Sequence, residues 1–260
     1  MVDTASGTSP RLASAAATAE TRQQAQSPLA PPRIVSIAGK GIEQALWTAS
    51  TAVIGFGILD QILRRTRGMT SYLATLPSFN FDAEGSIPAW YSSMLMAAAA
   101  LLLLAVAAST EGRHRWRALA VVFFYLSADE AISIHERLVA PIREAFGLSG
   151  FLYFSWVVAA APLLVLGALY FRPLLKSLPA PLRMQVVVSG TVFVVGAFGF
   201  ELIGGYVTSA GLGKVAVALS VTAEEILEIT GLTLFLSALV NLLALPRPPV
   251  AFRFAANSDG

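Results

Sequence analysis

Ser127 to Glu136 reads S-A-D-E-A-I-S-I-H-E, and this stretch decides how the rest of the chain is read. It closes an apolar run that begins at Trp116. It sets Asp129, Glu130, His135 and Glu136 where a membrane helix would carry Leu, Val or Phe. A charge at the centre of a spanning helix costs roughly 2.5–3.5 kcal/mol on insertion scales. Something must offset that cost, and what offsets it is the best lead to function.

The surrounding composition is that of a membrane protein. Of 260 residues, 55% are hydrophobic and 13% charged, against about 25% charged in soluble domains. The mean hydropathy is +0.67. The net charge is only +2, with no basic patch carrying interleaved aromatics, so no nucleic-acid partner is expected. Cysteine is absent. That excludes disulfides, thiolate metal ligands, Cys-held iron–sulfur clusters and Cys nucleophiles.

Six apolar runs, at 43–63, 89–109, 116–138, 150–171, 185–207 and 218–244, are each near or above the length that crosses the hydrocarbon. The sixth has room to begin near Gly213 with a tilt. The fold expected is an all-α, polytopic bundle of six transmembrane helices over residues 41–246. Residues 1–40 are rich in Ala, Ser, Thr, Gln and Pro and read as a disordered tail, with no secretory signal. Residues 247–260 read as a short mobile tail. Segment 140–150 reads as a short interfacial helix, and Pro162 as a kink.

Orientation follows from Lys and Arg. With the N-terminus inside, twelve fall in inner segments and six in outer loops. This favours both termini in the cytoplasm of a cell that carries the protein in its plasma or inner membrane. Arg64, Arg65 and Arg67 are a contrary cluster. Trp90, Trp116 and Trp156 lie near span ends, as interfacial aromatics do.

The acids inside the spans are the notable feature. Asp60 lies in the first run; Asp129, Glu130 and Glu136 in the third; Glu201 in the fifth; Glu224, Glu225 and Glu228 in the sixth. No Lys or Arg lies in a span interior, so protons, a metal ion or a water-filled cavity must neutralise the set. At 1.5 Å per residue, all of them fall in the outer half of the bilayer. On continuous helices Asp129, Ser133 and Glu136 form one stripe, and Glu224, Glu228 and Gly231 another. Glu201 aligns with Ala197, Gly204 and Gly205, small residues that mark close packing. His135 and Glu130 point away from the Asp129 stripe, which leaves His135 at the outer mouth. His114 sits in an inner loop, at the opposite face, so a bis-histidine haem is excluded.

The expected site is a shell of Asp129, Glu136, Glu201, Glu224 and Glu228. Asp60, Glu130, His135 and Glu225 would be supporting or entrance groups. Its ligand would be protons or a divalent metal ion, with no haem or iron–sulfur cluster, in a transporter-like protein embedded in the lipid bilayer. Two alternatives stand beside it. One is a metal-dependent membrane enzyme acting on a lipid-like substrate. The other is a structural subunit whose buried acids are simply protonated. A di-iron carboxylate bundle would need Glu-x-x-His motifs, which the chain lacks. T-A-E-E-I-L-E-I at 222–229 echoes S-A-D-E-A-I-S-I at 127–134. The echo reads as a remnant of a three-plus-three inverted repeat or as chance in Ala- and Ile-rich helices.

Overall fold

A computed structural model describes residues 39–67, 78–83, 85–110 and 113–245. Residues 1–38 of the expected N-terminal tail, all of the expected C-terminal tail at 247–260, and much of the first outer loop lie outside the described residues.

The described secondary structure is all helical. Seven helices follow in order: α1 Gly39–Arg67, α2 Ile87–Ser109, α3 Arg113–Ile132, α4 Glu136–Phe146, α5 Trp156–Ser177, α6 Ala180–Ser209 and α7 Lys214–Leu243. Five of them are long and apolar enough to cross a membrane. The sixth candidate is the pair α3 and α4, which meet at 86° across a break of three residues. The architecture is that of a multi-pass helical membrane protein.

The third apolar run is therefore not the continuous helix 116–138 that its hydropathy suggests. It stops at Ile132, and Ser133 takes a left-handed φ of 51°, a conformation that side chains other than Gly, Asn or Asp adopt rarely. The expected interfacial helix is present, displaced to Glu136–Phe146, and it exposes Leu138 and Phe146. Ser155 Oγ, just before α5, donates to the Val139 carbonyl at 2.5 Å and ties α4 down. The α5 helix begins at Trp156 rather than near 150, because Gly150–Leu152 form a 3-10 turn. It continues through Pro162 and Pro173 to Ser177.

At the centre stands α7. Its most apolar window is 61% buried, against 11% for α5, which faces outward. From Ile229 to Leu242 nearly every turn of α7 is enclosed. Leu232, Leu236 and Leu239 pack with Leu103 and Val106 of α2 and Trp116 and Ala120 of α3. The Phe235 ring stacks on Phe123 at 4.9 Å. Burying each large side chain contributes roughly 1.5–3 kcal/mol relative to exposing it in water. In lipid that gain shrinks, and close fit takes over.

The α1 helix runs antiparallel to α7. A Cβ built on Gly39 would lie 3.5 Å from Val240, and Ser50 Oγ meets Thr233 Oγ1 at 2.6 Å. Tyr91 of α2 joins them, its hydroxyl 2.8 Å from Ser50. Three hydroxyls thus satisfy one another in the apolar core.

Candidate functional site

The break after α3 is built around Asp129. Its Oδ1 accepts from the His135 backbone N–H at 2.8 Å, and its Oδ2 lies 2.9 Å from His135 Nδ1. The Ile134 N–H also donates to this carboxylate. The backbone N–H of Ser133 reaches the Asp129 carbonyl at 2.7 Å. A helix that stops leaves end groups without partners. Here one side chain supplies the acceptors that the missing turn would have supplied. Since a carboxylate only accepts, His135 Nδ1 carries the hydrogen and Nε2 is left to exchange one.

This overturns two expectations. His135 was expected to point away from Asp129, as it would on a straight helix; the turn at Ser133 folds it back onto that carboxylate. The stripe of Asp129, Ser133 and Glu136 does not exist, because face periodicity holds only along an unbroken helix. Glu136 is instead the exposed first residue of α4.

From His135 a chain of side chains leads inward. The imidazole packs on the Trp156 indole, with centroids 4.8 Å apart. Trp156 Nε1 donates to Glu201 Oε1 at 2.6 Å. The Glu201 side chain is hydrogen-bonded in turn to Glu224. Glu225 and Glu228 are the other acids near Glu224, and Glu228 lies within electrostatic reach of Glu130, Glu225, Glu201 and Asp129. Of the nine candidate residues, the structure thus brings Asp129, Glu130, His135, Glu201, Glu224, Glu225 and Glu228 into one neighbourhood, with Glu136 at its exposed edge, within electrostatic reach of His135.

Asp60 belongs elsewhere. Its Oδ2 accepts from Arg64 Nε at 2.5 Å, and Arg64 also donates to Ser78 Oγ at 3.2 Å. The expectation that the acids lack basic partners fails at this position. The i, i+4 spacing on α1 lets Arg64 fold back from the helix end onto a carboxylate 2% exposed. Among the described residues, no group of three or more His, Asp or Glu side chains is arranged to hold a metal ion. Both oxygens of Asp129 are engaged at the break, and Glu201 is shared between Trp156 and Glu224. These contacts commit the Asp129 and Glu201 carboxylates to protein donors.

The approach of Glu201 to Glu224 rests on local backbone. Val195–Phe200 of α6 is a π-helical stretch ending immediately before Glu201. A Cβ on Gly196 would lie 3.0 Å from the Glu224 carbonyl and 3.0 Å from the Glu228 nitrogen. The glycine thus lets α6 press on the acidic turn of α7. The wider π turn shifts the phase of the helix, and at its end Ser220 Oγ donates to the Phe200 carbonyl at 3.3 Å. Gly204 and Gly205 are both buried, in line with the packing role read from their spacing. Sequence reasoning missed the π stretch and the Trp156 bond. Nothing in V-G-A-F-G-F marks a π turn, and Trp156 reads as one more interfacial aromatic.

The echo between 127–134 and 222–229 is not carried into backbone: the first contains the end of α3 and the left-handed Ser133, the second is uninterrupted helix. No curated protein and no solved structure matches the chain. One family profile matches residues 45–242, spanning α1 to α7, the acidic neighbourhood included. The chain belongs to that family, described as a domain of unknown function, DUF8692.

Proposed function

We propose that Glu201, Glu224 and Glu228, with Asp129 and His135 at the mouth, form a proton-binding site in a six-crossing membrane protein with both termini cytoplasmic. Proton movement at this site would be coupled to transport. The antiparallel pairing of α1 with α7 supports an even number of crossings, and the Lys and Arg distribution supports the orientation.

The observation that carries this reading is the Glu201–Glu224 hydrogen bond. Two carboxylates have no donor between them, so the pair needs one proton. Glu201 also accepts from Trp156, and this second donor to its carboxylate favours the arrangement in which Glu224 carries the shared proton. Glu228, one turn further along α7, is the next station. His135, held through Nδ1, would exchange protons with water through Nε2.

Proton flux into proteoliposomes, followed with a trapped pH-sensitive dye, tests the proposal. Wild type should relax an imposed pH gradient, and Glu224→Gln, which cannot release a proton, should not. Trp156→Phe keeps the ring and loses the N–H; the rate should fall about tenfold, the scale of one hydrogen bond to a charged group. If Glu201→Gln and Glu224→Gln both melt like wild type and pass protons at the wild-type rate, the proposal is wrong.

A further inference from the structure

A cleft of about 340 Å³ opens at the opposite end of the bundle, where α1 begins and α7 ends. Its walls are α1 and α6, and its floor is α7. The lining is graded. Toward the helix ends stand Glu43, Gln185, Ser237 and Asn241, with Met184 the apolar exception at that level; deeper along the helices stand Trp47, Val188 and Leu234. The volume falls at the lower end of the range for small-molecule sites. Trp47 is 39% exposed beside the cleft.

We propose that this cleft binds an aminophospholipid from the adjacent leaflet, headgroup toward the helix ends. Apart from Met184, polar and apolar linings follow one another in the order of a phospholipid's own head and chains. Among the described residues, Glu43 is the one charged side chain in the lining. It attracts an ammonium group and repels an anionic headgroup. A primary ammonium donates hydrogen bonds to that carboxylate, whereas a trimethylated one has no N–H to donate. The side-chain amides of Gln185 and Asn241 supply donors for phosphate oxygens. The inference rests on the membrane location and not on the acidic neighbourhood, so the two readings fail separately.

Full-length protein stripped of lipid in mild detergent should be titrated with short-chain phosphatidylethanolamine, phosphatidylcholine and phosphatidylglycerol, with binding read by thermal shift. Phosphatidylethanolamine should bind at least about tenfold more tightly than either of the others, the scale of one hydrogen bond to a charged group. Glu43→Gln should abolish that discrimination. Gln185→Leu should weaken phosphatidylethanolamine and phosphatidylcholine alike, since both carry the phosphate. Water-soluble phosphoethanolamine should leave the melting curve unchanged at the same concentrations. Equal binding of all three lipids would overturn the proposal. So would a preference that survives Glu43→Gln, or equal stabilisation by phosphoethanolamine.

Discussion

Gly231 is the position where packing around the acidic neighbourhood is most sharply testable. A Cβ added there would lie 2.6 Å from the Phe193 nitrogen and 2.8 Å from its Cα and Cβ. These are backbone and near-backbone atoms of α6 and cannot rotate away. Restoring ordinary contact, 3.4 Å, from 2.6 Å requires the helices to separate locally by about 0.8 Å. Gly190, on α6 itself, is the control, because a Cβ there meets nothing within 4 Å. Both changes replace glycine by alanine inside a helix, so the propensity gain of about 1 kcal/mol cancels in the comparison. What remains is the overpacking cost, typically about 1–3 kcal/mol. Gly231→Ala should therefore be less stable than Gly190→Ala by about that amount, measured by chemical or thermal unfolding in detergent. The same separation would pull Glu201 from Glu224, so proton flux should fall in Gly231→Ala and not in Gly190→Ala. Equal stability of the two variants would refute the claim that α6 and α7 meet at backbone distance.

Two other contacts give sharp expectations. Ser50→Ala removes the hydroxyl that links Thr233 and Tyr91, and should cost about 1–3 kcal/mol because it strips partners from buried groups. Tyr91→Phe removes only an end of that set and should cost less, about 1 kcal/mol by the same unfolding assay. Arg64→Ala leaves the buried Asp60 carboxylate without its cation and should destabilise by about 1–3 kcal/mol, since Arg64 is itself partly exposed. Adding Asp60→Asn should recover most of the loss in a double-mutant cycle.

The grouping of acids was legible in part because acids in apolar helices are rare and their depth follows from counting residues along a helix. Glu201, Glu224 and Glu228 were placed at one level by a constant rise per residue, and they are neighbours in the structure. The small residues beside Glu201 announced close packing, and Gly204 and Gly205 are buried. The expected metal shell has no counterpart among the described residues as a converging group of three His, Asp or Glu side chains. Counting along helices gives depth and says nothing of which oxygens are already committed. Glu136 and His135 were misplaced for a single reason: every facing argument for that run assumed a continuous helix, and the chain turns at Ser133.

What the sequence by itself determined is local: long apolar helices, the levels of their acids, and the small faces along which they approach. These depend on periodicity and length, which one chain carries within itself. Tertiary structure alone decided where α3 ends, that Asp129 closes the break by holding His135, that a π turn sets the phase of Glu201, and that Trp156 reaches that carboxylate. Each of these depends on an atom supplied by a distant segment or across a turn. The preferences of the residues concerned do not encode which donor will arrive.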